Sequence, residues 1–193
     1  MDQHSGVVLA GGLSSRMGRD KSQLEWNGES LLQHSYKVLA ASYCHYIYVS
    51  NNRGEGIQDR YLECGPLGGI DATLSQMSNQ GWLTVLPVDM PLIDTYQLKQ
   101  LQTFASDTGK ACYFKNHFLP CVLPVNETVK DYLKQQLENQ GDFRVKGLLS
   151  FVHAVEIEPV ETISLMNTNT PEEWESAIQV RQEYKKENQY VRS

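Results

Sequence analysis

Short apolar runs separated by polar, glycine-containing breaks recur along the chain, and their lengths fit strands and helices in turn. Val7 to Ala10 is a four-residue apolar run closed by Gly11 and Gly12, which predicts a short buried strand. Leu24 and Trp26 alternate with polar neighbours up to an Asn27–Gly28 turn. Ser30 is placed to cap a helix that carries Leu31, Leu32, Val38 and Leu39 near helical spacing. Cys44 to Val49 is rich in aromatic and β-branched residues and predicts a second strand, ended by Ser50, Asn51, Asn52 and Gly54. Strand, helix and strand at this separation imply a parallel pair with a right-handed crossover.

Gly65-Pro66-Leu67-Gly68-Gly69 reads as a second glycine-rich loop, followed by a helix from Ile70 to about Ser78. Trp82 to Val88 is the clearest buried strand, and Met90-Pro91-Leu92 stops it. Asp89 therefore falls at the carboxyl end of a central parallel strand, where open α/β sheets bind ligands. A helix starting near Asp94 carries Leu98, Leu101 and Phe104. Lys110 to Lys115 and Phe118 to Val125 are expected to pair as a small antiparallel ribbon, with Pro120 and Pro124 pointing to a sheet edge. Asn126 caps a helix to about Gln140, Phe143 to Phe151 reads as a short helix holding Arg144 and Lys146, and Val152 to Ile157 alternates as a strand. Thr170 caps the last helix, with Pro171 at its first position and Trp174, Ala177, Ile178 and Arg181 along it. The polar residues after it are expected to fray.

Length and composition narrow the class. With 193 residues, 40% of them hydrophobic and 21% charged, one soluble globular domain over 1–193 is expected, large enough for a substantial core. The net charge of −6 argues against a general nucleic-acid footprint. No apolar run approaches a membrane span and Met1 to Ser5 is no signal peptide, so a cytoplasmic location without membrane partners is expected. Cys44, Cys64, Cys112 and Cys121 have neither redox-pair nor zinc spacing and read as reduced thiols, some of them in the core.

An acidic chain that handles phosphate must gather its cations locally, and residues 6–21 do so. Gly11 and Gly12 follow the first strand without side chains, so backbone N–H groups can lie against a ligand. Arg16, Arg19 and Lys21 then supply three cations within six residues. Strand, glycine turn and cations together make a phosphate cradle. Neither G-x-G-x-x-G nor G-x-x-x-x-G-K-[ST] fits the glycine positions. The string Leu9 to Lys21 does carry, unbroken, the nucleotidyltransferase signature L-A-G-G-x-S-x-R-M-G-x-D-K, and the chain resembles the molybdenum cofactor guanylyltransferases. That resemblance implies a three-layer α/β sandwich with a mostly parallel central sheet, a Rossmann-like nucleotidyltransferase fold. It implies transfer of GMP from GTP to the phosphate of molybdopterin, with Mg²⁺ present and pyrophosphate released. Molybdoenzymes or chaperones that accept the product are the implied protein partners.

The chemistry of such a transfer asks for positioning and charge. A phosphate monoester oxygen, already anionic near neutral pH, attacks the α-phosphorus in line with departing pyrophosphate, so no general base is required. Lys21 and Arg16 are the cations for the triphosphate, and Asp89 is the candidate ligand for a hard cation. Pro87-Val88-Asp89-Met90-Pro91 is also similar to the metal-binding P-x-D-x-P segment of the family. Leu9, Ala10, Gly11 and Gly12 form the nucleotide loop, and L-A-G-G is the form the family associates with guanine, L-A-A-G with cytosine. Pattern alone leaves Asp59 on a polar surface; the resemblance makes it a nucleotide contact ahead of the G-P-L-x-G segment. Ser50 stands where the family has an asparagine after the second strand. For the second substrate the resemblance implies Arg144, near the phosphate, and Asn167 and Asn169 in N-x-N-T-P; Leu119-Pro120 departs from the usual His-Pro.

Other readings remain open on sequence. One is a cytidylyl- or sugar-phosphate nucleotidylyltransferase on the same scaffold. A nucleotide-sugar glycosyltransferase would normally show D-x-D after the central strand, and only Asp89 is acidic there. The last is a nucleotide-binding protein without catalysis.

Overall fold

The computed structural model describes residues 3–11 and 21–190, the side chains of Lys21 and of 184–190 excepted. Strands β1 (His4–Leu9), β4 (Cys44–Ser50) and β5 (Trp82–Pro87) form the parallel half of a six-stranded sheet. The helix α1 (Leu31–Ala40) joins β1 to β4 through the hairpin β2 (Glu25–Trp26) and β3 (Glu29–Ser30), and α2 (Pro66–Leu74) precedes β5. After α3 (Thr95–Thr108) come β6 (Cys112–Phe114), β7 (His117–Pro124), α4 (Glu127–Glu138), α5 (Val145–Phe151), β8 (Val155–Ile157) and α6 (Pro171–Tyr190). The strand order is β4-β1-β5-β7-β6-β8. Only β7 runs against the others, since it is antiparallel to both β5 and β6 while β8 is parallel to β6.

Two hydrophobic layers sandwich this sheet, and the strand period of two decides which residue faces which layer. Val8, Leu86, Cys112, Phe114 and Val122 pack with α1, α3 and α6 through Leu39, Leu98, Leu101 and Ala177. Val7, Leu83, Val85, Cys121 and Leu123 pack with α2, α4 and α5 through Leu67, Ile70, Leu133 and Leu148. The three-layer α/β expectation is met. All four cysteines are free thiols; burial pushes the Cys112 thiol up to about 12, and the Cys121 thiol is raised by the same cause.

Local chemistry explains the boundaries. Asn27 and Gly28 both take positive φ, 58° and 80°, the conformation a two-residue hairpin requires. Ser30 and Gln33 form a reciprocal capping box on α1, and Asp94 with Gln97 does the same for α3. Asn126 caps α4, and the Thr170 hydroxyl accepts from Glu173 N at the start of α6.

Three expectations are corrected. The strand Phe118 to Val125 is expected at an edge, yet β7 lies inside the sheet between β5 and β6. Its prolines are accommodated because Pro120 falls where the β6–β7 register shifts and Pro124 is the last residue of the strand. The expected second glycine loop is mostly helix: α2 begins at Pro66, a residue preorganised for the first helical position, and Gly68 and Gly69 lie within it. Arg144 caps α5 from outside, with an extended backbone, and is not held within the helix. Among the described residues, no helix is long and apolar enough to cross a membrane.

Candidate functional site

Leu9 pairs with both Ser50 and Pro87, so the three parallel strands end level with one another. Ala10 N donates to Ser50 O at 2.8 Å, and Val88 N to Leu9 O at 3.1 Å, carrying the ladder just past the strand ends. The residues that leave the three strands must therefore gather at one rim. A cleft of about 1050 Å³ opens there, lined by Leu9, Ala10 and Gly11 after β1, Ser50, Asn52 and Arg53 after β4, and Pro87, Val88 and Asp89 after β5. Asp59, Gly65, Pro66 and Gly69 form a second wall, and Leu119 and Asn169 reach it from β7 and from the segment before α6.

The wall at Asp59 is built by close approach. A Cβ on Gly68 would lie 2.8 Å from Asp59 Oδ2, and one on Gly69 would lie 2.4 Å from Ser50 Oγ. The glycine pair thus lets the N-terminus of α2 sit directly against the ends of β1 and β4. That terminus brings the positive end of the helix dipole to the cleft, with Gly65 and Pro66 at its surface. Asp59 is held by Ser50 Oγ, which donates to Oδ1 at 3.3 Å, and by Asn52 Nδ2, which donates to Oδ2 at 2.9 Å. Next to it Arg60 makes two hydrogen bonds to Asp71, at 2.8 and 3.0 Å, and clamps the 57–65 segment onto α2. Asp71 is 2% exposed, and its carboxylate raises the Arg60 pKa.

Asp89 is positioned through its backbone from a distant part of the chain. Thr168, fully buried, donates its N–H at 2.8 Å and its hydroxyl at 3.1 Å to the Asp89 carbonyl. The neighbouring Asn169 thereby enters the cleft, while Asn167 is exposed and takes no part in the lining. Glu173 Oε2 accepts from Asn169 N at 2.6 Å and Thr170 N at 3.0 Å, which fixes this segment to the start of α6.

The structure thus brings together Leu9, Ala10, Gly11, Ser50, Asp59, Asp89 and Asn169. Arg144 does not line the cleft; it is exposed and pairs with Asp142 at 2.8 Å, which lowers the Asp142 pKa. Gly12 and Arg16 lie outside the described residues. Lys21 opens a three-residue 3₁₀ turn, and its side chain is likewise outside them. Among the described residues of the cleft, Arg53 is the one cation beside the carboxylates Asp59, Glu63 and Asp89. Arg16 and Arg19 belong to residues 12–20, outside the described part of the chain. Asn52, Arg53, Leu62, Glu63 and Thr168 are not singled out as site residues by sequence, and Leu119 is noted there only as a departure from the family's His-Pro. For Asn52 a signal exists, because it follows a parallel strand at the end where such sheets bind ligands.

Comparison with known proteins agrees with this fold. Residues 6–155 match the model of the MobA-like NTP transferase domain. A molybdenum cofactor guanylyltransferase of Xanthomonas euvesicatoria is 35% identical over 179 residues, spanning 90% of this chain and 94% of that relative. Among solved structures, molybdopterin-guanine dinucleotide biosynthesis protein A from Archaeoglobus fulgidus superposes with a TM-score of 0.72 at 22% identity, covering 93% of this chain and 99% of that one. A 4-diphosphocytidyl-2C-methyl-D-erythritol synthase from Anaerococcus prevotii shares the fold at a TM-score of 0.68 and 12% identity, over 93% and 98% of the two chains.

Proposed function

The chain belongs to the MobA-like NTP transferase family, and from that premise we propose that it transfers GMP from GTP to the phosphate of molybdopterin, releasing pyrophosphate. The observation that carries this reading is the convergence of the β1 glycine segment, Asp59 and Asp89 on one cleft at the carboxyl ends of three parallel strands. Leu9, Ala10, Gly11 and Gly12 bind the nucleotide along its phosphates, and Ser50 and Asp59 bind its base. Lys21 and Arg16 offset charge on the triphosphate. Asn167, Asn169 and Arg144 receive the acceptor, of which Asn169 is the one already in the cleft. Arg144 reaches the acceptor phosphate only by leaving Asp142, an exposed pair whose exchange costs little.

The attacking phosphate oxygen is anionic, so the protein's task is to hold two anions in line and spread the charge of the transition state. No Ser-His-Asp set is required, and none is proposed. Asp89 suits Mg²⁺, a hard ion that takes one or two protein carboxylates and completes its shell with phosphate and water. The described residues offer no cluster of three or more His, Cys, Asp or Glu side chains, which argues against a site built from protein ligands alone. Mg²⁺ held by Asp89 would supply charge neutralisation at the phosphates. We place the enzyme in the cytoplasm, as a single domain over 1–193, handing its product to molybdoenzymes or to chaperones that serve them, without nucleic-acid or membrane partners.

Purified protein with Mg²⁺ and molybdopterin is given GTP, CTP or ATP, and pyrophosphate release is monitored. GTP is expected to be used preferentially. Lys21→Ala is expected to weaken GTP binding modestly and to lower turnover by about 10²–10³-fold. Preference for CTP would overturn the guanylyl assignment, and unchanged turnover in Lys21→Ala would remove Lys21 from the catalytic set.

A further inference from the structure

Asn52 stands between the glycine segment and Asp59 and touches both. Its Oδ1 accepts the Asp59 N–H at 2.7 Å, and its Nδ2 donates to Asp59 Oδ2 at 2.9 Å. The two bonds close a ring across a seven-residue separation, so backbone and carboxylate of Asp59 are fixed by one amide. On its other side Asn52 abuts Gly11: a methyl built there would lie 3.3 Å from Nδ2 and 3.6 Å from the Asn52 backbone nitrogen. All three residues line the cleft.

We propose that Asn52 is the positioning residue for base selection: it sets the plane of the Asp59 carboxylate and transmits to it the size of the residue at position 11. The proposal rests on the reading of Asp59 as the base contact. An ionised carboxylate has about four acceptor sites. Ser50 and Asn52 use one on each oxygen, which leaves acceptor capacity for the adjacent ring N–H and exocyclic amino group of a guanine edge. Hydrogen bonds weaken steeply once misaligned, so a carboxylate free to turn would accept such a pair poorly. At 3.3 Å a methyl on Gly11 requires Nδ2 to give by a few tenths of an ångström. Because Nδ2 is bonded to Oδ2, the carboxylate turns with it. A one-carbon change in the glycine segment would then act on the base through Asn52 and not by filling the base's space.

The test compares GTP with inosine triphosphate, which lacks only the 2-amino group. Affinities are measured by calorimetry, and turnover is measured with molybdopterin. Asn52→Leu keeps the volume of the side chain and removes both hydrogen bonds. It is expected to weaken GTP about tenfold, to leave inosine triphosphate and kcat within about twofold, and so to flatten the preference between the bases. Asn52→Ser, which is smaller and milder, is made in parallel and must move the preference in the same direction; thermal melts of both variants report their folding. Gly11→Ala is expected to lower the preference in the native background and to have much less effect in Asn52→Leu, a non-additivity that marks coupling. A retained preference in both Asn52 variants alongside its loss in Asp59→Asn overturns the positioning role and leaves Asp59 as the base contact. Retention in Asp59→Asn as well overturns that reading and the proposal with it. An equal effect of Gly11→Ala in the two backgrounds overturns the transmission through Asn52.

Discussion

Gly69 decides how near α2 comes to the strand ends, because it leaves no room for even one more carbon. A Cβ would meet Ser50 Oγ at 2.4 Å and Leu9 Cδ2 at 3.0 Å, and the Ser50 hydroxyl can yield only by giving up its bond to Asp59. Gly69→Ala is therefore expected to cost about 1–3 kcal/mol and to lower the thermal midpoint by several degrees. It should also weaken GTP, since the Ser50 hydroxyl that moves is one of those holding Asp59. Differential scanning calorimetry with and without nucleotide checks both. At this scale the sequence is legible where one residue carries its own reason. Asp89 follows the clearest buried run, Trp82 to Val88, and the glycine string needs no partner to be read. Asp59 is not legible by pattern, because its meaning comes from Asn52 and from the two glycines of α2, and contacts between separate segments leave no local period.

The hairpin β2–β3 and helices α1 and α6 pack together around Trp26. Trp26, 2% exposed, packs against Trp174 with ring centroids 5.4 Å apart, and the Arg181 guanidinium lies 4.7 Å over the Trp26 ring. His34 on α1 sits edge-on to Trp26 at 6.3 Å. Burial lowers the His34 pKa from its usual 6.5, against the opposing pull of Glu29 and of the backbone at Pro91 and Ile93, with Arg181 adding to the lowering. The folded state thus prefers neutral imidazole. Stability is full above the unfolded value of 6.5 and declines as pH falls below it, because the unfolded chain takes up a proton that the folded chain resists. The slope from this one group is at most about 1.4 kcal/mol per pH unit. Thermal midpoints between pH 7 and pH 5 are expected to fall less in His34→Gln than in the parent. Elements of this kind are mostly legible: Ser30, Asp94, Asn126 and Thr170 announce their helices because a cap is a local bond. The interior place of β7 is not, since Pro120 and Pro124 give the same local pattern at an edge as at a register shift and a strand end.

One sheet between two apolar layers makes the whole molecule respond from both sides. Leu83 and Leu86 lie on the same strand, both fully buried, and face opposite layers. Each change to Ala is expected to cost about 2–5 kcal/mol in urea unfolding. The double variant should approach the sum, because the two cavities open into separate layers; a shortfall well beyond about 0.5 kcal/mol would mean that the layers communicate through the sheet. The grip of Thr168 on the Asp89 carbonyl also matters at this scale, because residue 168 lies beyond the 6–155 stretch matched to the family. A polypeptide cut after β8 would keep all eight described strands, yet it would lose Asn169 from the cleft and the two Thr168 bonds that latch the Asp89 backbone. Deletion mapping guided by the shared core alone would then yield a fragment with part of one face of its sheet laid bare, and the tail would be mistaken for ornament.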